Sequence, residues 1–158
     1  MKNMLMALGV AALLFGQAAC AQEKAGPTEP DAIRALLMHK FDRPEARLTV
    51  EPVVIRRSHA IAGWVQAERG GRALLRRDHG QWKLVACAGD AFKEAAELEK
   101  AGIAPADAGA MAKSVVAAEA KLPAEQRRRL SLFEGVVAMD SDGSHPPHGH
   151  AVHGGAGK

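Results

Sequence analysis

Tyrosine is absent from this chain, and aromatic residues make up only 4% of its 158 residues. The basic excess is slight, 21 Lys and Arg against 18 Asp and Glu, for a formal charge of +3. A nucleic-acid binder of this size shows a concentrated basic stripe with interleaved aromatics. Here the arginines come in ones, twos and a single run of three, so nucleic acid is set aside as a partner. Cysteine is equally scarce: two residues cannot build a disulfide scaffold, and a chain of this length buries a core without one. The apolar run Leu5 to Phe15 has eleven residues, and the stretch that contains it is bounded by Asn3 and Gln17, short of the roughly 20 that a membrane-spanning helix needs. The chain also lacks a phosphate-binding glycine loop, a dinucleotide fingerprint and a Cys-x-x-Cys metal knuckle.

Residues 1–21 read as a secretory signal peptide of bacterial type. Lys2 precedes the apolar run, and Ala19-Cys20-Ala21 supplies the small-x-small cleavage pattern before Gln22. The expectation is an exported mature chain with no membrane span. Cleavage before Cys20, with a lipid anchor on its sulfur, is the alternative. Gln17 stands where the lipoprotein pattern wants an aliphatic residue, which favours simple secretion. Either way the mature chain keeps one cysteine that could be structural, Cys87: a small buried hydrophobe, a metal ligand or a reactive thiol.

Residues 22–30 read as a flexible leader and 31–138 as a single α+β domain. Asp31 looks like an N-cap for a helix carrying Ile33, Leu36, Leu37 and Phe41, closed by Pro44. Four β-prone runs follow, Leu48 to Ile55, Ala60 to Glu68, Arg72 to Arg77 and Gln81 to Cys87. The breaks between them are Arg56-Arg57-Ser58-His59, Arg69-Gly70-Gly71 and Asp78-His79-Gly80. This is the pattern of a four-stranded antiparallel meander, with Pro52 placing the first strand at an edge. About three C-terminal helices are expected next. Asp90 caps the first, with Phe92, Ala95, Ala96 and Leu98 on one side; Pro105 opens the second, with Ala108, Met111, Ala112, Val115 and Leu122; Pro123 opens the third, burying Leu130, Leu132 and Phe133 and exposing Arg127 to Arg129. Packing them on one side of the sheet is the simplest way to cover both apolar surfaces. Residues 139–158, rich in His, Gly and Pro, read as a disordered tail.

That tail carries the strongest chemical signal. His145, His148, His150 and His153 fall within nine residues. Neutral imidazole is the commonest protein ligand for copper(II), zinc and nickel, and the interspersed Gly and Pro let several rings converge on one ion. Met139 adds a thioether and Asp140 and Asp142 add carboxylates; soft sulfur tilts the choice toward copper, which it favours as Cu(I). The bland reading is a solvated tail that happens to be rich in histidine. An engineered tag fits poorly with the Pro and Gly interruptions. Cys87 is a less favoured ligand, and its face on the last strand is not fixed by alternation alone. His59 and His79 should share one end of the meander with Arg56, Arg57 and Arg77, as exposed turn residues or a second metal or anion site. His39 suits the last turn of its helix without a functional role. A Cys87-His79-Asp90 hydrolase is set aside because no nucleophile motif surrounds the cysteine; no catalytic residue is expected.

A resemblance adds to this reading. The segments A-I-A-G-W at Ala60 to Trp64, G-G-R-A-L-L-R-R at Gly70 to Arg77, W-x-L at Trp82 to Leu84, C-x-G-D at Cys87 to Asp90, F-E-G-V-V-A-M-D at Phe133 to Asp140 and the terminal H-P-P-H together resemble the bacterial copper uptake system-associated proteins, over about residues 28 to 148. The resemblance implies a non-enzymatic accessory of copper acquisition in the periplasm or at the outer membrane. Such a protein is encoded beside a copper receptor and a periplasmic copper chaperone. It brings no mechanism and no metal ligands. Two functions follow as expectations: the tail captures copper and hands it on, or the fold is a protein-binding module that docks on the receptor or chaperone. A general zinc or nickel binder is a third.

Overall fold

The computed structural model describes residues 26–139. Helix α1 (Glu29–Phe41) leads into strands β1 (Leu48–Arg56), β2 (His59–Gln66), β3 (Arg69–Asp78) and β4 (Gln81–Ala88). Helices α2 (Ala95–Lys100), α3 (Pro105–Glu119) and α4 (Ala124–Leu130) follow, then strand β5 (Val136–Ala138). The architecture is α+β, with a helix, one antiparallel sheet in the order β1-β2-β3-β4-β5, and further helices. The sheet has five strands rather than the four expected. β5 pairs with Ala86 to Ala88, and three residues are too few to show an alternating pattern.

α1 begins before the expected start. Thr28, not Asp31, is its N-cap: the Thr28 hydroxyl accepts from the Asp31 N–H and the Asp31 carboxylate accepts from the Thr28 N–H, the reciprocal arrangement of a capping box. Glu29 and Pro30, assigned to the leader, are therefore in the first helical turn. The meander runs as expected, with β1 and its Pro52 at the edge. β3 starts at Arg69 rather than Arg72, because Gly70 and Gly71 pair with Val65 and Trp64. The β2–β3 turn is instead Ala67-Glu68, with Ala67 at φ 51°.

Helices cover both faces of the sheet, not one. α1 packs through Ile33 and Leu37 onto Leu48, Val50, Ala60, Ala62, Leu75 and Leu84. α3 packs through Ala108, Met111, Ala112 and Val115 in a second core with Ile61, Leu74, Ala86 and Ala88. The central strands explain this, since Ala60, Ile61 and Ala62 are buried in succession, as are Ala73, Leu74 and Leu75. A continuous apolar run suits a strand buried on both sides.

Each of the strands β1 and β4 carries an irregularity of one extra residue. In β1, Val50 faces Trp64 and Val53 faces Ala62, so Glu51 and Pro52 share the single partner Gly63. In β4, Leu84 faces Leu75 while Ala86 faces Leu74, which leaves Val85 extra. Such a bulge resets the alternation of side chains. Trp82, Leu84 and Cys87 consequently lie in the core under α1, and Ala86 lies in the core under α3. Strict alternation would instead put Ala86 on one face with Trp82 and Leu84.

The single helix expected after Gly89 is a 3-10 turn, Asp90–Lys93, followed by the short α2. Phe92 and Leu98 are buried and Ala96 is exposed. α3 buries the stripe its spacing predicts, but ends at Glu119 and leaves Leu122 in the connection to α4. Leu130 is buried, whereas Leu132 is 44% exposed and Phe133 is half-buried. Among the described residues, no helix is long and apolar enough to cross a membrane.

Candidate functional site

Three glycines make a bed for the segment that joins α4 to β5. A Cβ at Gly70 would lie 2.6 Å from the Arg129 carbonyl oxygen, at Gly71 2.8 Å from Phe133 Cβ, and at Gly89 2.2 Å from the Phe133 carbonyl oxygen. Residues 129–133 can therefore cross the end of the sheet in direct backbone contact. Phe133 meets Trp64 edge-on, with ring centroids 6.0 Å apart, and the buried Trp64 Nε1 has no hydrogen-bond partner among the described residues.

Next to this crossing lies a buried polar node that the sequence reading missed. Arg72, fully buried, donates from Nε and Nη2 to the two carboxylate oxygens of Glu119 at 2.6 and 2.7 Å. Its Nη1 donates to the Leu130 carbonyl at 3.1 Å and to Asp90 at 3.2 Å. Asp90 also accepts from the Ser131 hydroxyl at 2.7 Å and pairs with Lys93 at 2.8 Å. Partial burial pushes the Asp90 carboxyl up, but Lys93, Ser131 and Arg72 together hold it below the ordinary value. One signal for this node was available: Glu119 continues the Ala108, Met111, Ala112, Val115 stripe, so helical spacing alone places an acid on the buried face. G-G-R, C-x-G-D and the start of F-E-G thus converge here, as the residues that lock α3, α4 and the route into β5 together.

Of the proposed metal ligands, the described residues include Met139 and Cys87. Met139 donates its backbone N–H to the Val85 carbonyl at 2.8 Å, directly after β5, and its side chain packs partly buried against the α1-side core. Cys87 belongs to that same core, 6% exposed and paired in register with Val137. Burial pushes its thiol up to about 12, so it is a neutral S–H at neutral pH, not the thiolate that binds metals. His145, His148, His150, His153, Asp140 and Asp142 lie outside the described residues, as does Cys20.

The turns bearing His59 and His79 do lie at one end of the sheet, where the Arg77 N–H donates to the Ser58 carbonyl at 2.7 Å. The two histidines have separate surroundings. His59 is half-buried opposite Arg76; burial first, then the Arg76 charge, hold its imidazole below the ordinary value. His79, at φ 47°, is exposed with Nδ1 2.8 Å from Asp78. Arg56 and Arg57 turn instead to Asp107 in the first turn of α3, at 2.8 and 3.0 Å. Among the described residues, no three His, Cys, Asp or Glu side chains gather in a group able to hold a metal ion. Cys87, His79 and Asp90 are not assembled either. Cys87 faces the α1 side while Asp90 engages Arg72, and His79 is at the other end of β4, on the order of 20 Å away at the strand rise. Arg127 to Arg129 are not simply solvated: Arg128 and Arg129 share Glu125, and Arg129 also donates to the Ala67 carbonyl at 2.8 Å.

No family model, curated protein or solved structure matches the chain.

Proposed function

We propose that the protein is a periplasmic accessory of copper uptake that captures copper, or hands it on, through the histidine-rich segment following β5. The observation that carries this reading is the placing of His145, His148, His150 and His153 within nine residues, in the sequence that follows the last described strand, Val136–Ala138. The resemblance of the G-G-R, C-x-G-D and F-E-G-V-V-A-M-D segments to copper uptake system-associated proteins supports copper over zinc or nickel, and the signal-like residues 1–21 support export. Copper is cargo in this reading. Several imidazoles on one segment can leave the ion one at a time while a partner's ligands replace them, so no bare ion is released. Met139 is the sulfur ligand at the root of the segment, and it serves copper at the expense of its packing on the α1-side core. Cys87 takes no part, since burial holds its sulfur protonated.

The test is a competitive titration with Cu(I) and Cu(II) chelators on the mature protein, beside a version ending at Asp142. Tight copper-selective binding that disappears on truncation is the expected result. Binding no tighter than that of a free His-Gly-His peptide would exclude a carrier.

A further inference from the structure

A cleft of about 770 Å³ opens between α3, α4 and the 3-10 turn, lined by the buried Arg72 and Glu119 and by Lys93, Arg127 and Arg128. It continues into a second hollow of about 360 Å³ along the outer side of α3, with Lys93, Val116 and Ala120 common to both. The result is an elongated groove with an apolar floor and a basic rim. Val116, 51% exposed, is the large apolar side chain that α3 presents to solvent. Small side chains, Ala117 and Ala120, flank it and leave the floor open.

The rim is not electrically balanced. Lys93 and Arg128 are paired with Asp90 and Glu125, and Glu119 is cancelled by Arg72. Arg127 gives its hydrogen bonds to the Ala120 and Leu122 carbonyls. Lys113 meets no carboxylate among the described residues, and the remaining acid of the lining is Glu94. We propose that this groove is a docking surface for an acidic polypeptide segment of a partner protein. An aliphatic side chain of that segment covers Val116 and Ala120, and its carboxylates face Lys113 and Arg127. A small anion would meet the rim and leave Val116 bare, and a nucleic acid has no aliphatic anchor to offer the floor. The inference is independent of the copper segment and stands or falls without it.

The test uses the full mature chain in EDTA with a fluorescein-labelled peptide, Asp-Glu-Leu-Asp-Glu-Leu-Asp-Glu, followed by fluorescence anisotropy and by amide NMR. Saturable binding is expected, with shifts concentrated at residues 113–120 and around Arg127. Val116→Asp should weaken binding about tenfold or more, the scale set by a lost aliphatic burial, and separately Lys113→Glu with Arg127→Glu should weaken it about tenfold or more by setting like charges against the peptide. Lys100→Glu, on α2 outside the groove, should leave it unchanged. Because Val116 is exposed, the variant is expected to keep the thermal unfolding of the parent. Absence of saturable binding, unchanged affinity in Val116→Asp, shifts confined elsewhere, or equal binding of labelled oligothymidine would each overturn the proposal.

Discussion

Arg72 of β3 and Glu119 of α3 form a two-pronged ion pair inside the protein, with side chains 1% and 7% exposed. Both charges have left water, so their value depends on each other. Removing one strands the other without solvent, whereas removing both leaves a volume that apolar side chains can fill.

Arg72→Met or Glu119→Leu alone should therefore lower stability by about 3–5 kcal/mol, and the double variant should recover most of that loss. Urea unfolding of the four proteins, read as a double-mutant cycle, measures the coupling. Equal and additive losses would show that the pair is not acting as a unit.

Gly89→Ala should destabilise by about 1–3 kcal/mol, since its Cβ would strike the Phe133 carbonyl. Gly109→Ala in α3, where nothing lies within 4 Å of the added carbon, should instead stabilise by about 0.4–1 kcal/mol. Thermal melting of the two variants side by side gives opposite signs if the glycine bed is as described.

The Cys87 thiol should resist Ellman's reagent at neutral pH and react when the protein is unfolded. Its ionisation also links stability to alkaline pH. The folded thiol titrates near 12 against an ordinary 9.0, so between those values the native state holds a proton that the unfolded chain has released. Stability is then full below about pH 9 and declines as pH rises toward 12. A Cys87→Ala variant should lose that part of the alkaline slope.

If the proposed copper role of the histidine-rich segment holds, His148→Ala with His150→Ala should reduce Cu(II) affinity by about tenfold or more. Met139→Leu should affect Cu(I) and spare Cu(II), because a thioether prefers the softer ion. Chelator competition under reducing and oxidising conditions separates the two.

Periodicity made the helix, the four long strands and the buried stripe of α3 readable, because those segments repeat their apolar residues over several turns or pleats. The two-sided sheet was also written in the chain, in the successive apolar residues Ala60 to Ala62 and Ala73 to Leu75, but a one-layer arrangement was the simpler inference. The bulges were not legible. Val50 to Val53 and Leu84 to Cys87 are three apart yet share a face, a spacing that strand alternation forbids and that only a partner strand can reveal. Gly70 and Gly71 looked like turn residues because close approach by residues 129–133, distant in sequence, leaves no local signature. For the candidate site, the histidine run was visible from composition, while the node of Arg72, Asp90 and Glu119 depended on three elements meeting.

Val85, left out of the ladder, acts as a parity bit for residues 86–88. With it, Cys87 points toward α1, and β5, paired to the following three residues, sends Met139 to that same side. Were this valine paired in the ladder opposite Leu74 instead, residues 86–88 would turn over, bringing Ala86 and Ala88 to the α1 side and Cys87 to the α3 side; deleting it would keep Ala86 opposite Leu74 and leave those faces as they are.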